Sequence, residues 1–113
     1  MSSPASSLAP AITAYLAAAN ARDTSRVASF FAEDANVFDE GRHQIGPQAI
    51  AQWMQDTAQR YQPRVEVLDV QLRTGKVLVH NRVSGTFPGS PLELRYMFRL
   101  NEQGKIARLD ISL

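Results

Sequence analysis

The sequence predicts an α+β domain, with three N-terminal helices packed on a mainly antiparallel sheet. Three observations carry this. Apolar residues recur at helical spacing as far as Tyr61, they alternate beyond Pro63, and no linker, repeat or low-complexity block divides the chain. Helices gathered at one end of the sequence and strands at the other fit helices on one face of a sheet, not a parallel βαβ fold.

Pro10 stands where a first helical residue tolerates a missing N–H, so the first helix is expected over 10–21. Ile12, Tyr15, Leu16 and Ala19 form its buried stripe. Residues 1–9, rich in Ser, Pro and Ala, read as a flexible tail, with neither the basic nor the apolar region of a signal peptide. Asp23 or Thr24 is a candidate cap for a short second helix burying Val27, Phe30 and Phe31. Glu33-Asp34 is expected to turn the chain into a short strand over 36–39, and residues 41–46 read as a connection. A third helix, over 47–61, should bury Ile50, Trp53, Met54, Ala58 and Tyr61.

Strand period then takes over. Over 65–73, Leu68, Val70 and Leu72 fall on one side and Val65 and Val67 on the other; Thr74-Gly75 turns the chain into a strand over 76–86. Residues 87–91 are dense in turn formers. Leu92, Leu94, Tyr96, Phe98 and Leu100 share one face of the next strand, and a last strand follows over 106–113. Val65, Val67, Val77, Val79 and Val83 are read as a second apolar face, which predicts a homodimer through the sheet.

The 113 residues suffice for one domain with a real core, and 44% apolar against 20% charged residues is ordinary for a globular chain. Twelve Lys+Arg against eleven Asp+Glu leave a net charge of +1, with no basic run, so nucleic acid is not an expected partner. No stretch approaches the ~20 apolar residues that span a bilayer, so no membrane association is expected. The lack of cysteine excludes disulfides, thiolate metal sites and a cysteine nucleophile, and it fits a cytoplasmic protein. His43 and His80 lie far apart with no carboxylate at ligand spacing, so no metal and no other cofactor is expected.

The order of elements and several motifs resemble the NTF2-like superfamily, in particular its SnoaL-like and ketosteroid isomerase-like members. Phe30-Phe31-Ala32-Glu33-Asp34-Ala35-Asn36-Val37 is similar to the family's entry into its first strand. Asp39-Glu40-Gly41-Arg42, then Gly46-Pro47-Gln48-Ala49-Ile50 and Trp53, resembles the stretch that follows it. Val83 to Pro91 and the Gly104-Lys105-Ile106 hairpin fit as well, so the resemblance covers most of the chain after residue 10. It implies a cone: a strongly curved sheet, also called cystatin-like, that three helices do not fill completely. The family holds isomerases, cyclases, hydrolases, dehydratases and members that only bind or dimerise, so the fold does not supply the function.

The resemblance to ketosteroid isomerase places its general base at Asp39 and its oxyanion-stabilising tyrosine at Tyr15. A carboxylate of this kind removes a proton next to a carbonyl, and a phenol in a dry pocket donates to the developing enolate. Each residue also has a plainer reading: Asp39 as a turn former before a Gly loop, Tyr15 as a core aromatic. The isomerase's second acid corresponds to Glu93, but alternation puts Glu93 on a face with Arg95, Met97 and Arg99. Only a bulge near Pro91 would turn it inward. His43 is a candidate ligand contact or an exposed loop residue, and His80 a residue of the sheet surface. Phe30, Phe31, Trp53, Met54, Tyr96 and Phe98 are the expected pocket walls. The expected ligand is a small hydrophobic molecule with one or two polar groups. Two functions follow: cofactor-independent acid–base chemistry of the isomerase, cyclase or lyase type, or a non-catalytic binding or dimerisation module.

Overall fold

Helices and strands separate along the chain in the computed structural model, which describes residues 8–113. The elements are α1 (Pro10–Ala21), α2 (Val27–Phe30), β1 (Phe31–Asp39), β2 (Arg42–Ile45), α3 (Pro47–Tyr61), β3 (Arg64–Arg73), β4 (Lys76–Ser84), β5 (Leu92–Leu100) and β6 (Ile106–Ser112). One six-stranded sheet runs in the order β2-β1-β6-β5-β4-β3. Its neighbours are antiparallel except β1 and β6, which run parallel and join the first half of the chain to the meander. The result is an α+β cone, as expected.

The helices form where the stripes lie. Ile12, Tyr15 and Leu16 of α1 and Ile50 and Met54 of α3 are buried against Val79, Tyr96, Phe98 and Leu109 of the sheet. Pro occupies the first turn of both long helices, where its missing N–H leaves no bond unmade. Both end in a non-glycine left-handed cap, Arg22 on α1 and Gln62 on α3. The Asn20 side chain ties α1 to edge strand β3, donating from Nδ2 to the Val65 carbonyl at 2.9 Å and accepting from the Val65 N–H at 2.7 Å. That bond satisfies backbone groups that an edge would leave open.

Several expectations need correction. Of the flexible tail expected over 1–9, Leu8 and Ala9 instead pack against the core; residues 1–7 lie outside the described residues. Phe31 begins β1 rather than ending α2, and Glu33-Asp34 does not reverse the chain. It sits inside β1, where the register against β6 shifts between Phe31 and Asn36, a bulge and not a turn. Asp23 accepts from the Ser25 N–H at 2.9 Å in a local Asx turn, while Arg26 holds the α2 N-cap position.

The expected connection over 41–46 contains β2, which pairs with β1 across the two-residue turn Glu40-Gly41. Both turn residues have positive φ, 52° and 75°, as a tight hairpin of right-handed twist requires. In β3, a register shift between Val67 and Asp69 makes Leu68 the extra residue. Val70 therefore joins Val65 and Val67 on the core side instead of opposing them. Val77, Val79 and Val83 also pack into the core, so the apolar second face expected of the sheet does not exist. Its outer face carries the pairs His80–Glu93, Arg82–Glu66 and Arg108–Asp110.

Candidate functional site

A cavity of about 440 Å³ lies between α1, α3 and the open side of the curved sheet. Tyr15, Ala19 and Arg22 reach it from α1 and its cap, and Trp53, Met54, Thr57, Ala58 and Tyr61 from α3. The sheet contributes Val65, Val83, Leu92, Leu94, Tyr96 and Ile111, and the loops contribute Thr24, Glu40, Pro63, Phe87 and Pro88. Asp39, at the end of β1, completes the wall.

Strand geometry explains why Asp39 points inward. Ala35, Val37 and Asp39 alternate with Asn36 and Phe38 along β1, and Ala35 and Val37 are fully buried. The same face at the strand's tip delivers the Asp39 carboxylate to the cavity. The Trp53 indole Nε1 of α3 donates to Asp39 Oδ2 at 3.2 Å. Burial dominates its protonation equilibrium and raises the carboxyl above the ordinary range; the neighbouring Glu40 charge adds to this, while the Trp53 and Glu40 N–H bonds partly oppose it.

Tyr15 is almost fully buried, its ring set edge-on against Phe31 at 5.5 Å and Phe98 at 5.9 Å. These contacts hold the ring where it lines the cavity. Burial first, then the Tyr96 and Asp39 charges, push the Tyr15 phenol well above its usual range. Burial and Asp39 raise Tyr96 likewise. Both phenols therefore keep their protons at neutral pH and remain donors.

The remaining sequence candidates fall elsewhere. Trp53, Met54 and Tyr96 line the cavity as expected, whereas Phe31 and Phe98 are wholly buried beneath Tyr15 and form its support. His43 is exposed on β2, its Nδ1 2.9 Å from Asn36 Oδ1 and its ring 4.6 Å from that of Phe38, on the side of β1 away from the cavity. It is not a cavity residue. Glu93 faces outward, as alternation predicted, with its carboxylate 3.2 Å from His80 Nε2. No group of three metal-ligating side chains occurs among the described residues, and no helix among them is long and apolar enough to cross a membrane.

Sequence reasoning missed two features. Arg22 and Thr24 line the cavity, although both are polar and stand past the last residue of α1, where no apolar stripe marks them. Asn81 is fully buried on the core face of β4 between Val79 and Val83, with neither amide atom hydrogen-bonded among the described residues.

Comparison with known proteins agrees with this geometry. The model of the SnoaL-like domain matches residues 12–109, so the chain belongs to the SnoaL-like family, within the NTF2-like fold. A candidate polyketide cyclase from Sinorhizobium meliloti is 36% identical, with 96% of this chain and 98% of that one covered and a TM-score of 0.91. A protein from Catenulispora acidiphila with a ketosteroid isomerase-like fold, solved with trimethylamine, is 18% identical over 92% of this chain and 85% of its own, at a TM-score of 0.79. An NTF2-like protein of unknown function from Cytophaga hutchinsonii is 13% identical over 90% and 85%, at 0.74. No curated protein matches the chain.

Proposed function

We propose that this SnoaL-like protein performs acid–base chemistry on a small hydrophobic carbonyl compound, with Asp39 as the base and Tyr15 as oxyanion donor. The supporting observation is that a half-buried carboxylate and two protonated phenols line one apolar cavity. Asp39 takes a proton from the carbon next to a carbonyl; the C–H pair becomes the new C=C bond, and the carbonyl π pair moves onto oxygen. Tyr15, joined by Tyr96, donates to that oxygen. Where a C=C adjoins the enolate, the proton returns from Asp39 to the far carbon of the conjugated system, an isomerisation; otherwise the enolate carbon attacks a second carbonyl of the same molecule, and the alkoxide that forms takes the proton back from Asp39, a cyclisation. Likeness to a candidate polyketide cyclase supports the second outcome as much as the first.

The test is deuterium uptake next to the carbonyl of a bicyclic ketone such as 2-tetralone, followed by NMR in D₂O. Asp39→Asn should lower the protein-dependent rate by about 10²- to 10⁴-fold. An unchanged rate would remove Asp39 as base. One observation favours a non-catalytic binding module instead: Glu93, the counterpart of the isomerase's second acid, is turned to solvent and engaged by His80. A rate no higher than in buffer for the parent protein would select that reading.

The same proposal includes a homodimer through the outer face of the sheet. Leu78 and Met97 stand directly opposite each other there, half-buried and ringed by charged side chains. An apolar centre inside a polar rim is the usual anatomy of a modest interface.

A further inference from the structure

The mouth of the cavity is charged, and its two charged side chains differ in what holds them. Glu40 is drawn toward the end of α3, where the Tyr61 hydroxyl donates to it at 3.5 Å and the Arg60 cation lies close enough to feel its charge. Arg22 has no carboxylate within ion-pair distance among the described residues. Its backbone is nonetheless fixed, because the Arg22 N–H closes α1 on the Ala18 and Ala19 carbonyls.

Tyr15, Ala19 and Arg22 follow one another at spacings of four and three along α1, and all three line the cavity. A single helix stripe thus runs from the phenol at the catalytic end to a guanidinium at the mouth. Seven residues of helix separate the two by about 10 Å. The wall between them is apolar, supplied by Ala19, Met54 and Leu94.

We infer that the ligand is an amphipathic anion: an apolar ring body whose carbonyl sits at Tyr15 and whose carboxylate, sulfonate or phosphate group sits at the mouth on Arg22. The inference deepens the proposed carbonyl chemistry, and its carbonyl end rests on that reading. The anion contact at Arg22 rests only on the cavity and the uncompensated cation. A guanidinium is suited to it, since its planar donors meet two oxygens of such a group at once.

Two dyes that differ by one charged group test this without any turnover: 1-anilinonaphthalene-8-sulfonate and its neutral parent, N-phenyl-1-naphthylamine. Trp53, the only tryptophan of the chain, lines the cavity, so quenching of its emission reports occupancy of this site. Arg22→Ala should weaken the sulfonated dye about tenfold, the size of one charge-assisted contact, and the neutral dye less than twofold. Arg22→Lys should recover most of the loss, and added salt should weaken the sulfonated dye in the parent but not in Arg22→Ala. Equal weakening of both dyes, weakening of neither, or failure of the sulfonated dye to quench Trp53 overturns the anion contact. Any of these leaves Asp39 as base untouched, because neither dye reacts.

Discussion

Asp39 carries two opposing demands. In the role proposed for it, its carboxylate must be ionised to accept a proton, yet the wall that buries it favours the neutral acid. Trp53 relieves part of this by donating a hydrogen bond to the charged form. The folded state therefore binds the Asp39 proton more tightly than the unfolded chain does. Between the ordinary carboxylate value and the raised folded one, stability falls as pH rises, and above the folded value the whole penalty is present. Asp39→Asn removes it. The variant should melt at or above the parent's temperature at neutral pH, with the gain vanishing at acid pH, where both states of the parent are protonated. Calorimetry at pH 7 and pH 3 checks this, and a variant that melts lower at pH 7 but not at pH 3 would contradict it. Asp39 and Tyr15 were legible in the sequence because a motif and a helix stripe marked them. Arg22 was not, because it continues the α1 stripe as a charged cap and not as an apolar residue; of the two readings His43 offered, the exposed one matches its place, on the edge strand β2 instead of in a loop.

Elements were legible in proportion to how one-sided their burial is. α1, α3 and β5 each present one apolar stripe, whose inward face was readable from spacing, while Pro10 and Pro47 marked where the two helices begin. β2 was missed because Arg42-His43-Gln44-Ile45 lies at the sheet edge with little burial and so has no alternation to read. β3 was read with its faces wrong, because one extra residue at Leu68 reverses every later side chain and nothing local announces it. The junction of α3 with β4 is a further feature of this scale. Thr86 N–H donates to the Tyr61 carbonyl at 2.7 Å, and the Gly85 N–H donates to Ser90 Oγ at 2.9 Å. A Cβ at Gly85 would overlap the Tyr61 carbonyl oxygen, so glycine is needed there for space. Gly85→Ala should cost about 1–3 kcal/mol in urea denaturation, because a main-chain oxygen cannot move aside as a flexible side chain can. A change of under about 0.5 kcal/mol, the ordinary range of surface substitutions, would contradict the close approach.

At the scale of the molecule, the cone separates two surfaces of opposite character. The concave side gathers the apolar residues of both halves of the chain and leaves the cavity where α1 and α3 diverge over the sheet. The convex side carries ion pairs, and the valines once read as an apolar second face are part of the core instead. A dimer through that face would be held by charge around Leu78 and Met97, so light scattering should find it at low salt and find dissociation as salt rises. A monomer at low salt and high protein concentration would exclude it. This architecture buries a carboxylate beside phenols in one cavity, the burial on which the proposed base rests. Its most direct test is a ¹³C NMR titration of the Asp39 carboxyl in the parent protein and in Trp53→Phe. The midpoint should lie above the ordinary carboxylate value in the parent and rise further when the indole hydrogen bond is lost. A midpoint of about 4 in both proteins, the value of an exposed aspartate, would contradict it.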